Sequence, residues 1–161
     1  MAGYGARMIA AEVQFYDVVV FFHILAVVLA FGPTFAYGVF FATAGKTNPA
    51  ALPTIGRAVL TWSRIATRWG IVVVLISGLY LTDDRWDFGD FFASWGIVAV
   101  LVVFAMNQFH FIPSTARVVE AAEAGRQDEA QAIAIQQQRT GPIAGIIVIL
   151  TIYVMTAKPF L

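Results

Sequence analysis

Long uncharged runs alternate with short charged islands along this chain. Between Val18 and Phe41 the sequence reads VVVFFHILAVVLAFGPTFAYGVFF, and His23 is the one residue in it that titrates near neutral pH. Four such runs predict spans at about 18–44, 55–81, 91–112 and 141–157, although the second is strictly uncharged only from Trp69 to Leu81. A run of about 18 or more apolar residues is a candidate membrane span, because about 20 helical residues cross the ~30 Å hydrocarbon core. Lipid offers no partner to backbone N–H and C=O groups, so each span is expected to be a helix. The expected fold is all-α, a four-helix transmembrane bundle forming one integral membrane domain over residues 1–161.

The segment 114–140 extends this pattern. Gly125 is a helix stop and Asp128-Glu129 a helix start, with Arg126-Gln127 alone between them. The third and fourth helices are therefore expected to run on past the membrane and meet in a tight antiparallel hairpin over about 114–140. A turn near Gly125 to Asp128 sets Pro113 opposite Thr140 to Pro142, and both prolines are expected to kink their helices there. The alanine-rich hairpin reads as a solvated extension, with partner binding as the alternative.

Charge placement orients the bundle. Lys46, Arg57, Arg64, Arg68, Arg117, Arg126 and Arg139 fall on one side, against Arg7, Arg85 and Lys158 on the other. The excess of Lys and Arg marks the cytoplasmic side. The 45–54 loop and the 117–140 segment are then cytoplasmic, and both termini face outward. Ala42-Thr43-Ala44 resembles a signal-peptidase site, but the run before it is far longer than a ~7–15-residue signal core. Glu12 and Asp17 against Arg7 also make a poor basic leader. The first run is accordingly expected to be a retained span.

Composition narrows the functional classes. Hydrophobic residues make up 60% of the chain and charged residues 12%, about half the ~25% of a soluble domain. The formal net charge is zero, so nothing global attracts nucleic acid, and the expected environment is the lipid bilayer. The absence of cysteine removes disulfides, thiolate metal sites, c-type haem attachment and cysteine nucleophiles. No triad and no facing pair of carboxylates can be assembled, so no catalytic constellation is evident. Close-packing glycines and a short second span allow a homo-oligomer or membership of a larger membrane complex.

Two polar clusters emerge when depth is counted at ~1.5 Å per residue. His23 lies about 9 Å below the outer surface, level with Ser77, Gly78 and Tyr80, with Trp95 and Gly96, and with Tyr153, Met155 and Thr156. A second cluster lies near the inner surface. Arg57, Arg64 and Arg68 are spaced to share one helix face, and Asn107, Gln108 and His110 sit at a similar level. His110 is about 20 Å deeper than His23, too far for both to ligate one metal or one haem.

A buried imidazole is an axial ligand of b-type haem, and four-helix bundles hold such cofactors in their cores. In one arrangement His23 ligates the iron, with Met155 or no residue opposite. Gly78 and Gly96 then open a slot, and Tyr80, Trp95 and Arg85 stand near the propionates. In the other, His110 is the ligand and Arg64 and Arg68 pair the propionates. Set against both is a structural or accessory subunit without cofactor, whose histidines serve helix packing. A proton relay has little to run along, since no Asp or Glu lies in the middle of a span.

The first helix, FHILAVVLAFG, resembles the opening of a group of small bacterial four-helix membrane proteins. The group includes an uncharacterised predicted integral-membrane family, the membrane domain of copper-resistance protein D and, more distantly, HemJ-type protoporphyrinogen oxidases. The resemblance rests on His23 followed nine residues later by Gly32, on the tail Lys158-Pro159-Phe160, and on the span layout. It implies a bacterial cytoplasmic (inner) membrane location. The HemJ-type relatives imply b haem on the first-helix His. They also carry an Arg soon after the first-helix Pro and a Lys in the third helix. Here Thr34 follows Pro33 and the third span has no Lys, which weighs against porphyrinogen oxidation. The expectation is a small membrane protein binding haem b as a redox or accessory component, with His23 as the first-choice iron ligand.

Overall fold

A computed structural model describes residues 14–158 of the chain. Arg7 and Glu12, which bear on orientation, and Pro159 and Phe160 of the tail lie outside the described residues. Four long helical rods account for nearly everything else: α1 (Phe15–Thr47), α2 (Pro49–Arg85), α3 (Phe91–Glu123) and α4 (Gln127–Ala157). Each is long and apolar enough to cross a membrane. Their 33, 37, 33 and 31 residues correspond to about 45–55 Å of helix at the usual rise, well beyond the ~30 Å of hydrocarbon. The all-α, four-span expectation holds, and the rods are longer than the apolar runs alone suggested.

The exposed large apolar side chains form a belt. On α2 they run from Trp62 to Tyr80, and on α3 from Phe91 to Phe109. Beyond that belt, at the end where α1 meets α2 and α3 meets α4, the surface turns to charged and polar residues. This is called the hairpin end; the other, holding residues 14, 86–90 and 158, is the terminal end.

Three of the rods are interrupted, each for a local reason. Gly32-Pro33 divides α1 into Phe15–Phe31 and Thr34–Thr47. Pro33 has no N–H to offer the Leu29 carbonyl four residues back. The indole Nε1 of Trp62 donates to that carbonyl instead, at 3.2 Å. The neighbouring carbonyls are also served by side chains, Ala30 by Thr67 Oγ1 at 3.2 Å and Phe31 by Thr34 Oγ1 at 2.5 Å. The rods α2 and α3 each contain one wide π turn, at Ser63–Thr67 and Asn107–Phe111. Pro113 comes two residues after the second ends, whereas α4 runs through Pro142 without a break in its helix.

The break redirects α1. Its first half packs along α2, and its second half approaches α4. On the hairpin side, α3 and α4 join through Ala124–Arg126. Arg126 N–H donates to Ala121 O at 2.9 Å and Gly125 N–H to Ala122 O at 3.2 Å, with Gly125 at φ 76°. This is the Schellman arrangement, which needs a residue tolerant of positive φ. The alanine-rich hairpin packs one face against the other rods and leaves the opposite face exposed. Val118, Ala121, Ala130 and Ala134 pack with Leu52 and Val59 of α2 and Phe41 of α1, and Val118 and Ala130 are fully buried. Small alanines let the backbones approach closely enough to exclude water. An exposed Arg57–Glu123 ion pair ties α2 to α3 at that end.

Candidate functional site

In the terminal half α1 leans on α2 and α4 leans on α3. The gap between the two pairs is a cavity of about 440 Å3. All four rods line it, with His23 and Val27 from α1, Gly78 from α2, Gly96 and Val100 from α3, and Thr151 and Met155 from α4. Its volume falls in the ~300–1,000 Å3 range of small-molecule sites. The structure thus brings His23, Gly78, Gly96 and Met155 together around one space.

The imidazole is held from one side. Its Nδ1 lies 2.8 Å from Ser77 Oγ. That hydroxyl already donates its proton to the Val73 carbonyl at 2.5 Å, so it can only accept from the ring. Nδ1 therefore carries the proton, and the lone pair belongs to Nε2. The Val74 backbone of α2 is a second hydrogen-bond partner of the ring. Ser77 is in place because a Ser on a lipid-immersed helix satisfies its hydroxyl on the carbonyl one turn back. Thr82, Thr151 and Thr156 do the same. Gly78 gives the ring room: a Cβ there would stand 3.3 Å from His23 Cε1. Gly96 admits the Met155 methyl, which occupies the space a side chain at 96 would need.

The other residues expected near this site take separate positions. Tyr80 turns its ring edge-on to Phe15 and does not line the cavity. Trp95 lies behind the wall, its Nε1 donating to Thr151 Oγ1 at 3.2 Å. Arg85 sits over the Tyr16 ring, 3.8 Å from its centroid, and donates to Gln14. Lys158 sits over Trp86 at 3.4 Å. Both cations stand at the terminal end, and neither lines the cavity. An imidazole, a thioether and apolar walls are the groups that could hold a haem here; its propionates would have to find Arg85 or Lys158 at the rim.

The second set of expected site residues does not converge. His110 Nε2 pairs with Thr140 Oγ1 of α4 at 2.9 Å, whereas Arg68 Nη2 donates to Gln108 Oε1 of α3 at 2.9 Å. Arg57 also reaches α3, but Arg64 is exposed. The face expected to carry all three arginines is broken by the π turn at Ser63–Thr67, where the extra residue rotates the downstream helix by about 100°. His110, Arg64 and Arg68 do not line the terminal cavity.

A second cavity, of about 630 Å3, lies toward the hairpin end between the second half of α1, the two π turns and α4. His110, Arg64 and Arg68 do not line this one either. Tyr37, Ser63 and Thr67 do, and sequence reasoning alone did not single them out. The usable signal was Ser63 and Thr67 at i,i+4, a spacing that puts two hydroxyls on one helix face.

A model of one protein family matches residues 17–159, and its description is "predicted integral membrane protein (DUF2269)". The chain belongs to that family. No curated protein and no solved structure matches it. Membership agrees with the four spans and with the lipid-facing belt, and it names no ligand.

Proposed function

We propose that this family member binds b-type haem in the terminal cavity and serves as a small redox or accessory component of the membrane. The observation that carries the reading is His23, which lines an apolar cavity while its Nδ1 is tied to Ser77. A ligating histidine characteristically donates its other ring N–H to a fixed partner, which sets the tautomer and the ring orientation. His23 is the iron ligand in this reading, and Met155 is the second candidate on the same cavity. Val27, Val100 and their neighbours exclude water from it. A haem bound there supplies one-electron chemistry whose potential its ligands and burial set. Arg85 or Lys158 would leave its aromatic partner to meet the propionates.

The Lys and Arg distribution supports a hairpin end in the cytoplasm and both termini outside; the bacterial cytoplasmic membrane rests on the resemblance of the first helix. The rival reading, a packing subunit without cofactor, draws on the hydroxyl partners that both histidines already have. Purification in mild detergent after expression with excess haem separates the two. A Soret band lost in His23→Ala and kept in His110→Ala is the expected result. A colourless, stably folded protein would overturn the haem reading.

A further inference from the structure

The larger cavity, toward the hairpin end, has no part in the haem reading. Its lining contains no charged side chain, so a ligand there is neutral. It is not, however, purely apolar. Asn107 is only 6% exposed, and its Nδ2 makes no hydrogen bond. The Tyr37 hydroxyl is buried too; it lies beside Ser63 but makes no hydrogen bond of acceptable geometry. Both residues line the cavity, from α1 and α3. Two buried donors without acceptors are costly in a membrane interior, where water does not compensate them. Both π turns feed this cavity, through Ser63 and Thr67 on α2 and Asn107 and Phe111 on α3. Such turns recur at functional sites because they trade helix regularity for side-chain placement.

The cavity also opens sideways. Phe35 and Val39 of α1 and Ile146 and Ile149 of α4 line it and are each 49–63% exposed on the lipid-facing surface. Gly38 and Gly141 leave open space at the same seam. We infer that this cavity is a lateral, lipid-accessible binding site for a neutral lipophilic molecule whose carbonyl oxygens accept from Tyr37 and Asn107. An isoprenoid quinone and a diacylglycerol share that chemistry.

Two soluble short-chain probes, a decyl benzoquinone and dioctanoylglycerol, test it on the full chain in mild detergent. At least one is expected to bind saturably, read as a dose-dependent rise in unfolding temperature; the one that does identifies the source. Tyr37→Phe and Asn107→Leu are expected to weaken that binding about tenfold each, the worth of one hydrogen bond. Tyr37→Phe removes only a hydroxyl without a hydrogen bond of acceptable geometry, so its unliganded unfolding temperature should hold or rise. His23→Ala, in the other cavity, should leave probe binding unchanged. Saturable binding that either substitution weakens upholds the site. Binding by neither probe, or binding indifferent to both substitutions, overturns it.

Discussion

Single side chains repair this backbone where proline interrupts it. The Leu29 carbonyl lies at a depth where lipid offers no donor, and the Trp62 indole supplies one from the neighbouring rod. An unpaired buried carbonyl costs about 1–3 kcal/mol. Trp62→Phe keeps an aromatic ring and removes the donor, and it is expected to destabilise the protein by about that amount. Thermal unfolding in detergent measures it, and a Trp62→Phe variant as stable as the parent would show that the bond contributes nothing. By contrast, the Arg57–Glu123 pair has side chains 66% and 43% exposed. Water screens it, and it contributes ~0–1 kcal/mol.

The rods owe their ends to local chemistry and their bends to specific residues. The α3–α4 turn depends on Gly125, whose φ of 76° a Cβ resists. Gly125→Ala is expected to cost about 1–2 kcal/mol without changing the fold, seen as a lower unfolding temperature with an unaltered far-UV spectrum. Nothing crowds that position, since an added Cβ meets no atom within 4 Å. Any loss therefore reports backbone strain and not a clash. The wide turns in α2 and α3 have a different effect. They do not end the rods but rotate one half of each against the other, so that Arg57 and Arg68, on either side of the turn in α2, are no longer in helical register.

As an assembly, the bundle is a belt of lipid-facing apolar residues topped at one end by an alanine-packed hairpin. Its orientation has a direct test, because the cysteine-free chain gives no labelling background. Asn48→Cys and Arg126→Cys sit at the hairpin end and should react with a membrane-impermeant maleimide only after the membrane is opened. Asp87→Cys, at the terminal end, should react in intact spheroplasts. The reverse pattern would invert the proposed orientation.

The apolar runs sufficed to establish the class, four spans and a hairpin turning near Gly125, because the thickness of a bilayer and the need to pair every backbone group leave little choice. They also established which residues share a depth. Rise per residue is nearly constant, so His23, Ser77, Gly78 and Met155 could be set level by counting. What counting along the chain left open was rotation about each helix axis. That angle is settled by packing between rods and by one inserted residue in each wide turn, and it is why His110 faces Thr140 and not Arg68. It is also why Tyr37, Ser63 and Asn107, remote from one another in the chain, meet around a common cavity. The long-range contacts that bring them together lie on three different rods, and no local pattern encodes them.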